Sequence, residues 1–121
     1  MQLHSSAMDI KRIIFIFVIF ASVYGCMTIR NYGESVFLNL QSVSNRMISV
    51  IMFGEDEILI EQIEAYEEEI NEECSALQQI GYRRVMGDPV SDELKYEAAL
   101  SLDGCNEVVD QADQFLKRNG L

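Results

Sequence analysis

The sequence contains no tryptophan, one proline, one histidine, three cysteines and only nine basic residues in a chain of 121. Each scarcity narrows what the chain can be. The absence of tryptophan and near-absence of proline, set against many Leu, Ile, Val, Glu and Gln, favour helix over strand or disorder. The one imidazole is His4, inside an N-terminal segment with the order of a targeting signal. Its removal would leave no histidine to act as general base near neutral pH, and no Ser-His, Cys-His or zinc arrangement could be built. There is no glycine-rich phosphate loop. The few cations, nine against twenty acids, make nucleic acid an unsuitable partner, because such a surface repels phosphate.

The first 25 residues follow the layout of a secretory signal. Lys11 and Arg12 form a basic start. Residues 13–23 form a nearly unbroken apolar run, shorter than the ~20 residues of a comfortable membrane span. Met8 offers a second start that would make the signal more compact. Val23-Tyr24-Gly25-Cys26 closes the segment. This tetrad resembles the lipobox of bacterial lipoproteins, an aliphatic residue, a tolerant position, a small residue and then cysteine. The resemblance covers those few residues, and Tyr24 is a less usual occupant of its position. It implies cleavage after Gly25, a diacylglyceryl group on the Cys26 thiol and acylation, palmitate included, of the new amino group. An ordinary signal peptide cleaved nearby and an uncleaved anchor helix are the alternatives.

Beyond residue 25 the chain carries 7 basic and 19 acidic residues, net −12. That charge also repels anionic lipid, so electrostatics cannot hold the domain on a membrane. A covalent anchor can, since each buried methylene contributes about 0.8 kcal/mol and two chains hold firmly. Residues 26–33 are expected to form a lipidated tether reaching at most about 25 Å beyond Cys26. Met27 occupies the place where, in enterobacterial lipoproteins, Asp retains the protein in the inner membrane. The resemblance therefore implies the outer membrane, facing the periplasm.

Three cysteines is an odd count for an exported chain. Assigning Cys26 to lipid leaves Cys74 and Cys105, a pair in an oxidising compartment. A bridge between them, the alternative being two buried thiols, would close a loop worth about 3.7 kcal/mol in the chain-entropy model. The 96 residues after the signal can bury only about 60–65% of their unfolded surface, so a cross-link matters.

Residues 34–121 read as one acidic all-α domain, a small three- or four-helix bundle. A first helix is expected over 35–53, with Val36, Leu40, Val43, Met47, Val50 and Ile51 at three- and four-residue steps. Gly54 ends it. Its last stretch, 47–53, is apolar nearly all round, as a central helix or a partner surface on Met47, Ile51 and Phe53 would be. A second helix is expected from 55 to Gly81, on the seam Leu59, Ile63, Tyr66, Ile70, Cys74 and Leu77. A loop at 82–90 turns at Gly87-Asp88-Pro89. Ser91 caps a third helix to about Leu102; Asp103-Gly104 breaks it, and a fourth runs from Cys105 to Arg118. One weak tetratricopeptide-like match in the last two is not a repeat array.

The carboxylates point to no chemistry of their own. Nineteen acids on helix faces produce accidental pairs, and Glu67-Glu68-Glu69 on a straight helix diverge where calcium needs converging oxygens. Arg83 and Arg84 are expected to pair with local carboxylates. No enzyme, cofactor or metal is expected. The expected role is a protein-interaction or assembly module of the cell envelope, with an envelope protein as partner. A lipid- or cation-binding lipoprotein and a passive structural protein are the alternatives. The architecture resembles that of pilotins, small helical disulfide-linked secretion lipoproteins, with which it shares no motif.

Metabolic labelling with palmitate tests the anchor. The chain is expected to take up label and to begin at residue 26, and Cys26→Ser is expected to abolish both. An unacylated native protein, or one starting elsewhere, removes the anchor.

Overall fold

The computed structural model describes the backbone of residues 2–121 and the side chains of residues 10–19 and 31–121. Four helices follow in order, α1 (Gln2–Phe53), α2 (Glu57–Glu73), α3 (Ser75–Met86) and α4 (Asp92–Arg118). No strand occurs among the described residues. The chain divides into two compact units, Met1–Tyr32 and Gly33–Leu121.

The first unit is helical, and its described apolar side chains, Ile10 and Ile13 to Ile19, are exposed. No helix of the described residues is long and apolar enough to cross a membrane. His4, the tetrad Val23-Tyr24-Gly25-Cys26 and Met27, on which the export and lipidation expectations rest, lie outside the residues whose side chains are described. The backbone of 26–33, expected as a tether, belongs to α1, so the first helix does not begin at residue 35.

The second unit is a helical bundle built around α4. Its buried positions, Leu94, Ala98, Leu102, Cys105, Val109, Ala112 and Leu116, recur in steps of four and three and form one stripe. Onto this stripe pack Val36, Leu40, Val43 and Met47 from α1, Ile63, Ile70 and Cys74 from the α2 side, and Leu77 and Ile80 from α3. Each fully buried side chain of this kind contributes about 1.5–3 kcal/mol. Contacts fix the directions. Cys74 meets Cys105 and Tyr66 stacks on Phe115 at 5.0 Å, so α2 runs antiparallel to α4. Ile80 packs with Leu94 and Ala98, so α3 does the same. Gly33 faces Leu102 and Arg46 binds Asp113, so this part of α1 runs parallel to α4. The result is a bundle of three rods, α4, this part of α1 and the kinked α2–α3 rod, in mutual contact.

The helix ends follow local chemistry. Asp56 caps α2, accepting from the N–H groups of Ile58 and Leu59 at 3.1 Å, and Ser91 caps α4, accepting from the N–H of Leu94 at 3.2 Å. Glu57, Asp92 and Glu93 occupy first turns, and Lys117 and Arg118 a last turn, as the helix dipole favours. Gly87, at φ 74°, closes α3: Asp88 N–H donates to the Arg83 carbonyl at 2.8 Å, and Gly87 N–H to the Arg84 carbonyl at 3.3 Å. That pair of bonds is a Schellman motif, which glycine supplies without strain.

Three sequence expectations are corrected. The second helix is not continuous to Gly81 but kinks at Cys74 (φ −101°, ψ 8°), although Cys74 N–H still donates to Ile70 and Gln78 N–H to Cys74. Gly81 stops nothing, because it lies inside α3, where the Phe37 ring fills the space of its missing side chain. A Cβ there would sit 2.5 Å from Phe37 Cε2. Gly104 likewise breaks nothing, since α4 passes through it unbroken from Asp92 to Arg118. A Cβ at Gly104 would lie 2.8 Å from a Glu73 carboxylate oxygen, the free end of a flexible side chain. A helical glycine costs about 1 kcal/mol relative to alanine, and at Gly81 the packing of Phe37 offsets it.

The two glycines should respond differently to alanine. At Gly81 the new methyl meets a packed ring, and overpacking of about 1–3 kcal/mol outweighs the gain of about 1 kcal/mol in helix propensity. At Gly104 it meets the free end of an exposed glutamate, which can swing aside. Urea unfolding is expected to show Gly81→Ala less stable than wild type and Gly104→Ala equal or more stable. The reverse order would contradict these packing assignments.

Candidate functional site

The most constrained point of the molecule is the cross-link. Cys74 sits at the kink between α2 and α3, on the apolar seam, and Cys105 sits on the buried stripe of α4. Both are fully buried and bonded through their sulfurs, with Cα atoms 4.8 Å apart. That separation is ordinary for a disulfide, and also for facing residues of two packed helices, whose axes stand 8–10 Å apart with Cα atoms about 2.3 Å off each axis. The pairing of Cys74 with Cys105 is thus as expected, and the bond is structural, sealed from solvent.

Around the cross-link the surface is acidic. Glu69, Glu72, Glu73 and Glu107 border a shallow groove of about 360 Å³. Among the described residues no group of three or more His, Cys, Asp or Glu side chains is placed to hold a metal ion. These carboxylates are exposed to water, and their arrangement offers no enclosed cleft for acid–base work.

A second groove, also about 360 Å³, runs between α1 and α4 and is lined by Asn39, Ser42, Arg46, Asn106 and Asp113. Its centre is an ion triad. Asp113 accepts from Arg46 Nη1 at 2.5 Å and pairs with Lys117 Nζ at 2.9 Å. The Arg46 hydrogen bond, then that of Lys117, holds the Asp113 carboxyl below its usual value of 3.8. Both cations are spent on this carboxylate, so the groove presents no free positive charge to a ligand. The triad instead ties α1 to α4. Sequence reasoning missed it, because partners 67 residues apart leave no local signal.

Arg83 and Arg84 do not pair as expected. Arg83 donates to the Pro89 carbonyl at 3.4 Å, and neither arginine forms an ion pair with a described carboxylate. Both stand exposed at the end of α3.

Exposed apolar side chains cluster at the two ends of the bundle, with Leu38, Ile48 and Leu100 exposed singly along its flanks. At one end α1 finishes and α2 begins. Here Met52 is 67% exposed, Phe53 79% and Ile58 71%, only a three-residue turn apart. Of the surface expected on Met47, Ile51 and Phe53, the structure keeps Phe53 alone as a fully presented side chain. Ile51 is half-buried, and Met47 is 2% exposed and belongs to the core. The correction follows from phase: Met47 lies four residues beyond Val43 on the inward stripe, whereas Met52 and Phe53 have turned outward. Ile58 was missed because it adjoins the seam residue Leu59 but lies out of phase with it. At the other end Tyr82, Val85 and Met86 of α3 and Tyr96 of α4 are exposed.

No family model matches the chain, and neither a curated protein nor a solved structure is significantly similar to it.

Two measurements follow from the cross-link and the triad. Replacing Cys74 and Cys105 by alanine, or adding reductant under denaturing titration, is expected to lower unfolding free energy by up to about 3.7 kcal/mol. An unchanged urea midpoint would mean that the bond contributes no stability. Asp113 titrates lower in the folded chain than in the unfolded one. Its contribution is therefore complete above the unfolded value and is lost as pH falls through the lower folded value. Asp113→Asn is expected to lower stability at neutral pH and to flatten its fall in acid below 3.8. Parallel acid limbs in the two proteins would remove Asp113 as their source.

Proposed function

We propose that the chain is a lipid-anchored lipoprotein of the bacterial envelope, facing the periplasm, and that it acts as a docking or assembly module for another envelope protein. The observation that carries this role is the cluster Met52, Phe53 and Ile58. Large apolar side chains stand exposed beside one another at one end of a strongly acidic domain, rimmed by Glu55, Asp56 and Glu57. Solvation alone gives no reason for a phenylalanine to stand 79% exposed beside two further exposed apolar residues. Aromatic anchors within a polar rim are the usual energetic centre of a protein interface. The acidic rim would favour a partner with a basic surround and an apolar socket.

Support for the anchor comes from the sequence: the signal layout, the Val23-Tyr24-Gly25-Cys26 tetrad and the cysteine count. The alternative of a small-ligand protein has less behind it. The grooves are shallow and polar, and the cations of the best-formed one are engaged by Asp113. Catalysis finds no histidine among residues 26–121.

Crosslinking in intact envelopes is expected to trap one discrete heterologous partner. Phe53→Asp and Ile58→Asp are expected to weaken that adduct at least about tenfold, while substitutions in the Glu69–Glu73 region leave it unchanged. Recovery of monomer alone, or an adduct indifferent to both apolar substitutions, would sink the proposal.

A further inference from the structure

The opposite end of the bundle, the tip of the α3–α4 hairpin, has a composition unlike the rest. Tyr82, Val85 and Met86 occupy one stripe of α3 at positions i, i+3 and i+4, and are 65%, 84% and 59% exposed. Tyr96 on α4 is 65% exposed. Arg83, Arg84 and Lys95 are interleaved with them. Residues 82–100 hold these three cations against four acids, net −1, whereas the rest of residues 33–121 holds three cations against fifteen acids, net −12. The hairpin tip is thus nearly neutral, as residues 33–53 also are with Glu34 against Arg46, and it differs from them in carrying exposed tyrosines beside its aliphatic residues and arginines. Tyrosines with apolar bodies and polar tips, and arginines with long apolar stems, are the side chains that settle at a membrane–water interface.

Position in the bundle agrees with composition. Because α1 runs parallel to α4 from residue 33 onward, the chain enters the bundle at the end from which the hairpin tip projects. A Cβ at Gly33 would lie 4.0 Å from Leu102, which sets the two at one level. From Leu102 back to Asp92 is ten residues of helix, about 15 Å toward the tip. From Gly33 back to Cys26 is seven residues, at most about 25 Å of chain. A bilayer that holds acyl groups on Cys26 therefore lies within about 25 Å of the Gly33 level, and the tip spans some 15 Å of that distance.

We propose that the α3–α4 hairpin tip is a membrane-contacting surface, with Tyr82, Val85, Met86 and Tyr96 resting in the interfacial layer of a zwitterionic bilayer and Arg83, Arg84 and Lys95 reaching its phosphates. This rests on the lipid anchor proposed above and assigns the anchored domain an orientation. The contact is weak alone, because the domain as a whole is repelled by anionic lipid, and it acts once the anchor has raised the local concentration. Held this way, the bundle presents Met52, Phe53 and Ile58 away from the membrane.

The absence of tryptophan makes the test direct. Acylated full-length protein carrying Val85→Trp or, separately, Phe53→Trp is reconstituted into phosphatidylethanolamine–phosphatidylcholine vesicles with brominated acyl chains. Both positions are exposed, so the added ring displaces no core. The indole at position 85 is expected to shift to the blue and lose about half its emission to bromine, with the indole at position 53 unaffected, as an interfacial ring would behave. Protein that floats with the vesicles and bears acyl mass at Cys26, yet shows no quenching at position 85, overturns the orientation and leaves the anchor standing. A blue shift without quenching that grows with protein density assigns the tip to a second copy of the chain and also overturns it. Protein without acyl mass at Cys26 that fails to float overturns anchor and orientation together.

Discussion

The architecture depends on one covalent contact, the sulfur–sulfur bond that pins the kink between α2 and α3 to the centre of α4. The bond closes a loop 31 residues long, holding α3, the turn after it and the first half of α4. On one side of it Tyr66 and Phe115 stack, and on the other Ile80 packs with Leu94 and Ala98. Both α2 and α3 are therefore referenced to the same point on α4. For a domain of this size, whose core is a single layer of Leu, Ile, Val and Met, restricting the unfolded chain is as useful as adding contacts to the folded one. Helix α1 is the rod that the bond does not reach. It is held by its own stripe of Val36, Leu40, Val43 and Met47, by Phe37 against Gly81, and by the Arg46–Asp113 pair.

Two helical glycines fall at contacts between helices. Gly104 lies beside Cys105 and faces the carboxylate of Glu73, a flexible end that can swing aside. Gly81 admits the Phe37 ring against the α3 backbone. From the sequence both looked like helix stops, and in the structure both lie inside helices. A stop glycine and a packing glycine are identical in their local sequence, and what separates them is a partner dozens of residues distant. Gly87, which does end a helix, is followed by aspartate and proline, and that local signal was readable.

The same distinction runs through the rest of the fold. Features set by near neighbours were legible: the helical class, the four-three seam from Ile63 to Leu77, the caps at Ser91, the α1 end at Phe53 and the pairing of Cys74 with Cys105. Features set by distant partners were not. The kink at Cys74 has no proline or glycine to announce it, and the Arg46–Asp113–Lys117 triad joins helices at opposite ends of the sequence. The exposed apolar surface at the end of α1 was half legible. The apolar stretch 47–53 was visible as a stretch, but its division into a buried Met47 and an exposed Phe53 depends on which side of α1 the other helices occupy.

Charge gives this domain its polarity. Carboxylates cover the flanks of α2 and the middle of α4, where self-repulsion costs little because each faces water. Exposed apolar side chains cluster at the two ends, some 40 Å apart along the 27 residues of α4, with Leu38, Ile48 and Leu100 exposed along the flanks. The acidic faces of α2 and α4 discourage side-by-side association of copies through them and their contact with anionic lipid. The two ends are not equivalent, because the tyrosines and arginines of one suit a phosphate-bearing interface and the Phe53 cluster, rimmed by acids, suits a protein socket. The cross-link at Cys105, the midpoint of α4, holds the kinked α2–α3 rod in register with both ends.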